Sequence, residues 1–263
     1  MSHQSTTALR FSRAAKSYEA GSDVQQLTAA RIIRSLPDDL PPHSHIVDMG
    51  CGTGLLTERL ATKFPTVAIT AVDPAPGMIN QAIRQHLDLN KVVWHIGAAD
   101  TWRAATPVDL IVSNAALHWS TDLTKTFLNL ASMLKPGGKL YATLMVEGTL
   151  RELHESRFAA APQLPPRTRM PGLMQLDTAA KSAGLSVDDL SVQPYTTHAP
   201  SSAHLLQALH LQGLTGGPLS QGERLLTRGE LKALTAYYDE HFSDKSGTVT
   251  ATYETALLIA TRA

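Results

Sequence analysis

Three glycines at alternate positions, Gly50, Gly52 and Gly54, follow the apolar run His45–Asp48 and precede a helical stretch at 55–63. This junction constrains the fold more than any other part of the chain. Glycine lets a backbone turn sharply and approach a ligand with no side chain in the way. A strand, a glycine turn and a helix in that order predict an α/β sheet whose ligand lies beyond the carboxyl ends of its strands. The spacing is G-x-G-x-G, with Leu55 where a dinucleotide fingerprint needs its third glycine.

The rest of the chain is consistent with that reading. Residues 8–36 read as one helical arm, because Leu27, Ala30, Ile33 and Leu36 recur at helix spacing. The Pro-rich stretch 37–42 ends it. Strands are expected at 45–48, 66–72, 91–96, 108–113 and 139–145, alternating with helices at 55–63, 77–87 and 123–134. Lys135-Pro-Gly-Gly138 stops the last of these helices. Such alternation with short links predicts a parallel sheet with helices on both faces. The second half predicts helices at 152–160, 173–183, 203–212 and 230–242, and strands at 185–197 and 248–259. Gly184 fits a helix C-terminus, and Thr227 with Glu230 fits a capping box. We expect a single domain over residues 1–263. Its core is 43–146 with late strands at 185–197 and 248–260, under a helical lid from 1–36 and the insertions 147–184 and 199–245.

Val72-Asp73-Pro74 closes the second strand about 20 positions beyond the glycines, where an acidic side chain suits a pair of ribose hydroxyls. Met78 follows in the next helix. With Asp48, the glycine loop, Gly97-Ala-Ala-Asp100, Asp109–Trp119 and Leu134–Gly138, this order resembles the class I S-adenosylmethionine-dependent methyltransferases, which have a Rossmann-like fold. The resemblance implies S-adenosyl-L-methionine as cofactor and S-adenosyl-L-homocysteine as product. It assigns Asp48, Gly50, Cys51, Gly52, Gly54, Asp73, Pro74, Met78, Asp100, Thr101, Ser113 and Asn114 to cofactor binding. Phe11-Ser-Arg-Ala-Ala-Lys-Ser-Tyr18, Ser113–Trp119 and Gly148-Thr-Leu-Arg-Glu-Leu153 are similar to the malonyl-[acyl-carrier protein] O-methyltransferases of biotin synthesis. Two positions depart from that pattern: His118 stands for a usual Gln, and Gln212 stands where some members carry Lys.

The implied reaction is methylation of the free carboxylate of a malonyl thioester on an acyl carrier protein or on coenzyme A. A carboxylate is already ionised at neutral pH, so no general base is required. Tyr18, His118 and Trp119 are the candidates for the reacting site. Arg13, Arg151 and Arg169 are candidates for the substrate carboxylate, because a guanidinium presents a forked donor.

Composition narrows the partners. Lys plus Arg equal Asp plus Glu at 23 each, so the basic excess of a nucleic-acid binder is missing. A single cysteine, Cys51, rules out an intramolecular disulfide. The 11 histidines are scattered, and His154-Glu155 meets Phe158 where a metalloprotease motif needs its second His, so no metal is expected. The apolar runs are too short for a signal peptide or a membrane span, which predicts a cytoplasmic protein, and we expect it to be a monomer. Two other readings are a methyltransferase of a trans-aconitate-like acid or quinone precursor, and a non-catalytic S-adenosylmethionine-binding protein. A nicotinamide oxidoreductase fits the glycine spacing poorly.

Overall fold

The structure is a computed structural model that describes residues 3–164, 170–214 and 225–263, with the side chains from position 6 onward except that of Ala20. Seven strands form one sheet: β1 (His45–Met49), β2 (Ala68–Asp73), β3 (Val92–Ile96), β4 (Val108–Asn114), β5 (Leu134–Met145), β6 (Leu185–Ala199) and β7 (Val249–Arg262). Their order is β3-β2-β1-β4-β5-β7-β6. The first five in that order run parallel. β7 runs antiparallel to both β5 and β6. The parallel expectation therefore holds for the first five strands in sequence, and the last two make a hairpin on the far edge. Order reverses between β1 and β4, so the crevice of this doubly wound sheet opens above their carboxyl ends.

Helices cover both faces, as the alternation predicts. On one face α5 (Leu123–Met133) and α7 (Leu173–Ser182) bury Phe127, Leu130, Leu176 and Ala179 against Val47, Ile111 and Leu140. On the other, α2 (Asp23–Ser35), α3 (Leu55–Lys63) and α4 (Pro76–Gln85) bury Ile32, Leu56, Leu60 and Ile79 against Ile46, Ile69 and Leu110. Burying each such side chain contributes about 1.5–3 kcal/mol. β1 carries Ile46, Val47, Asp48 and Met49 fully buried, which suits a central strand covered on both sides.

The single arm expected over 8–36 is two helices. α1 (His3–Ala14) ends before a 3-10 turn at Tyr18–Gly21, and α2 begins at Asp23. The turn forms because Ser17 and Ser22 divert their hydroxyls to the carbonyls of Ala14 and Glu19, which competes with helix continuation. Thus α2 joins the sheet layers while α1 crosses above the crevice, where Gly77 N–H donates to Ser12 Oγ at 3.1 Å. The expected start of the fifth strand at Lys139 moves to Leu134: Val108 already pairs with Leu134, and Gly137 takes a positive φ inside the strand.

β6 and β7 stay paired up to Ala199 and Val249, well past the last β5–β7 pair at Met145 and Thr255. Their overhanging end carries α8 (Ser202–Leu211) and α9 (Arg228–His241), and α6 (Arg151–Ala160) packs on α9. α9 opens with the capping box foreseen at Thr227 and Glu230. Thr227→Ala removes the side-chain acceptor for Glu230 N–H and should cost about 1 kcal/mol. The expected readout is a lower denaturant midpoint at unchanged m-value.

Candidate functional site

The glycine turn after β1 is held against the end of β2. Gly50 and Cys51 both donate backbone N–H groups to Val72 O, at 2.7 and 3.1 Å. Gly50 has φ +78°, and a Cβ there would lie 2.3 Å from Ala116 Cβ in the loop after β4. Only glycine lets the two loops at the sheet's switch point approach this closely. Gly52 has φ +56°, and the space its Cβ would fill is open. Gly54, at φ +96°, is the N-cap of α3 and abuts His86 and Trp94 away from the crevice.

Asp73 fastens the turn from its other side. Oδ2 accepts from Gly52 N–H at 3.0 Å and Oδ1 from Ala75 N–H at 2.8 Å. One carboxylate thereby sets both the glycine loop and the start of α4. Burial pushes its pKa up to about 6, against the pull of these two donors. Asp48 lies deeper: Oδ2 accepts from Thr57 Oγ1 at 2.6 Å, and Oδ1 is buried with no hydrogen-bond partner. Burial, assisted by the nearby charge of Asp73, raises its pKa to about 7. Leaving the Asp48 oxygen unsatisfied is costly, and buried carboxyls shifted in this way cluster at functional sites.

A cleft of roughly 880 Å³, partly open to solvent, extends from this turn. Gly50, Gly52, Asp73, Pro74, Met78, Asp100 and Asn114 line it, so most of the expected cofactor set is brought together. Asp100 sits on the far side, 3.0 Å from Lys125 Nζ. Asn114 is fixed by donating to Gln25 O and accepting from Thr143 Oγ1. Cys51 and Ser113 are buried beside the cleft and Thr101 is exposed; none of the three lines it. The roof falls within the lid expected from 1–36: Thr7, Ala8 and Phe11 of α1 line the cleft with Leu117 and Trp119, and of these five residues the motifs had singled out Trp119 alone as a candidate. Phe11 meets Trp119 edge-on at 5.4 Å and Tyr18 at 6.0 Å. The Phe11–Tyr18 segment was legible as a signature, but its packing needs the tertiary fold.

A smaller inner cavity lies beyond, and Tyr18, Ala115 and Trp119 form the wall common to both. Ala115 holds a positive φ of 49° there, a strained turn of the kind that clusters at functional sites. Tyr18 is raised to about 12 by burial and by the charge of Asp73, so its hydroxyl stays protonated. His118 is lowered to about 3 by burial. Its Nδ1 accepts from Met145 N–H at 3.3 Å, so the neutral ring carries its proton on Nε2. Gln25, Thr149 and Tyr253 complete the polar lining.

Neither Arg13 nor Arg151 reaches these cavities. Arg13 is exposed on α1. Arg151 is largely exposed and pairs with Glu254 at 3.3 Å and Glu152 at 3.6 Å. Arg169 lies outside the described residues. Among the described residues no arginine lines either cavity, and no cluster of His, Cys, Asp or Glu could hold a metal ion. No described helix is long and apolar enough to cross a membrane.

Residues 46–138 match the methyltransferase domain family. The chain is 30% identical over 266 residues to the malonyl-[acyl-carrier protein] O-methyltransferase of Paenibacillus sp. (strain JDR-2), covering 95% of this chain and 96% of that protein. It is 38% identical over 146 residues to the protein of the same name from Priestia megaterium, a match spanning 55% of this chain and 53% of the other. The YcgJ protein from Bacillus subtilis superimposes with a TM-score of 0.63 at 14% identity, over 90% of this chain and 98% of that one, and shows the shared fold.

Proposed function

The chain belongs to the malonyl-[acyl-carrier protein] O-methyltransferases, and we propose from that premise that it methylates the free carboxylate of a malonyl thioester at an early step of biotin synthesis. The single observation that carries this reading is the paired cavity. A partly open cleft with acidic walls adjoins a small inner chamber with neutral donors, and Tyr18 and Trp119 stand between them.

The residues present fit S-adenosyl-L-methionine. Gly52 leaves open backbone and Asp73 and Asp100 supply acceptors for hydroxyl and amine groups, while Asp48, which does not itself line the cleft, lies behind the glycine turn with one carboxylate oxygen without a partner. Met78, Ala99 and Leu117 give apolar surface for a flat base. When bound, the cofactor supplies an electrophilic methyl group on a sulfonium. The chain's task is then orientation, which supplies about 7–11 kcal/mol in well-aligned reactions. Tyr18 and His118 serve as donors to the acyl group's oxygens, since both keep their protons at neutral pH. Neither is an available base: His118 Nδ1 is engaged by Met145 N–H, and the Tyr18 hydroxyl is held far from ionisation. Phe11 and Trp119 exclude water from the junction.

Two results would test this. Labelled methyl transfer should yield a base-labile ester on malonyl-carrier protein or malonyl-CoA and none on trans-aconitate. Transfer to trans-aconitate alone would overturn the thioester reading. At saturating cofactor, kcat should stay flat from about pH 6.5 to 9, because the carboxylate acceptor is ionised throughout. A rise of kcat through that window would require a base that this site lacks.

A further inference from the structure

A third cavity, of roughly 830 Å³, runs between α8 and the overhanging end of the β6–β7 hairpin. It adjoins the site. Gln25 and Tyr253 line both this groove and the inner cavity, just as Tyr18 and Trp119 line both the inner cavity and the cofactor cleft. The three spaces are therefore neighbours in a row, each sharing side-chain walls with the next, and the groove is the farthest from the cleft.

Its shape is elongated. His204 and Ala208 of α8 and Gln212, the residue that caps its C-terminus, follow one another along one side at steps of four. At 1.5 Å per residue they span about 12 Å. The outer end is exposed, with the imidazoles of His198 and His204 beside Pro200. The inner end is buried, where Gln212 is 5% exposed and its side chain lies directly over Gly21. Between them, Val24, Leu205 and Leu209 give an apolar floor. A closed pocket for a free diacid would need none of this length. A narrow path mixing amides, hydroxyls and aliphatic surface suits a slender chain that carries amide groups of its own.

We propose that this groove admits the pantetheine arm of the malonyl thioester, the chemical element that an acyl carrier protein and coenzyme A share. The arm enters between His198 and His204, passes Ala208 and reaches the inner cavity beside Gln212, Gln25 and Tyr253. This rests on the malonyl thioester reading above. It accounts for the position of Gln212, which the reaction itself does not use.

The test is a plug. Ala208 is half-buried on the groove's wall, and Ala208→Trp should block it. Malonyl-carrier protein, malonyl-CoA and a short malonyl methyl thioester are assayed side by side. For both carried substrates, kcat/KM relative to the short thioester should fall about tenfold or more. Ala199→Trp, on the strand facing α8, should do the same. Cofactor affinity and the unfolding midpoint report that each variant is folded. An unchanged ratio in folded variants overturns the proposal. A loss with the carrier protein alone also overturns it, since that would be surface docking rather than passage of the arm. Wild-type inactivity toward all three thioesters would instead sink the thioester reading, and this proposal with it.

Discussion

Asp73→Ala is expected to raise the Kd for S-adenosyl-L-methionine at least about a hundredfold while leaving the chain folded. Two effects combine. The carboxylate accepts two backbone hydrogen bonds, from Gly52 and Ala75, and bonds to a charged group contribute about 1.5–3 kcal/mol each. Without them both the glycine turn and the start of α4 lose their common anchor. The acceptor proposed for the ribose hydroxyls is lost as well. Stability should fall far less than affinity, because burial already holds this carboxyl unfavourably, near pKa 6. Asp73→Asn keeps one acceptor oxygen and adds a donor facing an N–H group, so it should lie between wild type and alanine. Calorimetric titration measures Kd, and the KM for malonyl thioester at saturating cofactor measures the acyl side. Equal weakening of both would remove the role assigned to Asp73.

Such a residue could be read from sequence because its neighbourhood is local. Asp48, the glycines and Asp73 sit at strand ends next to the turns they serve, and a parallel sheet brings consecutive strand ends together. Asp100 follows by the same logic after β3. The arginines were not local in this sense. Residue type alone suggested Arg13 and Arg151, but the fold turns one outward on α1 and ties the other to Glu254. The break between α1 and α2 was hidden because the apolar spacing that carried the arm, Leu27 to Leu36, lies wholly in α2 and its C-cap, while hydroxyl-to-carbonyl bonds at Ser17 and Ser22 end the first helix. The antiparallel hairpin was equally hidden. Strand direction at a sheet edge depends on how the connection returns, and here α8 and α9 lie within the β6–β7 link. That hairpin gives Tyr253 to the inner cavity and Thr197, His198 and Ala199 to the groove, so the part of the site proposed for the acyl group was the part least visible in the chain. His118 shows the intermediate case. Its position after β4 was legible, and its protonation state was not, because that follows from burial and from Met145 N–H.

Cofactor affinity should depend steeply on pH below about 7, and the sign follows from the two buried carboxyls. Asp48 titrates near 7 and Asp73 near 6 in the free protein, both raised by burial. An unfolded aspartate titrates at about 3.9. Between those values the folded protein holds more protons than the unfolded chain, so these groups make the free protein less stable as pH rises from about 4 to about 7. A ligand bearing a sulfonium and an ammonium reverses that preference, because a nearby cation favours the ionised form. Binding should therefore release protons. Affinity should climb by up to about tenfold per pH unit between 6 and 7, and more steeply below 6, where both carboxyls must ionise. Above 7 it should level off until the ligand's own amino group titrates. Calorimetry in two buffers of different ionisation enthalpy counts the protons released. Asp48→Asn should remove the upper step and flatten the profile between 6 and 7. A wild-type profile already flat across that window would mean that neither carboxylate faces the cationic part of the ligand. The unpartnered oxygen of Asp48 would then need another explanation.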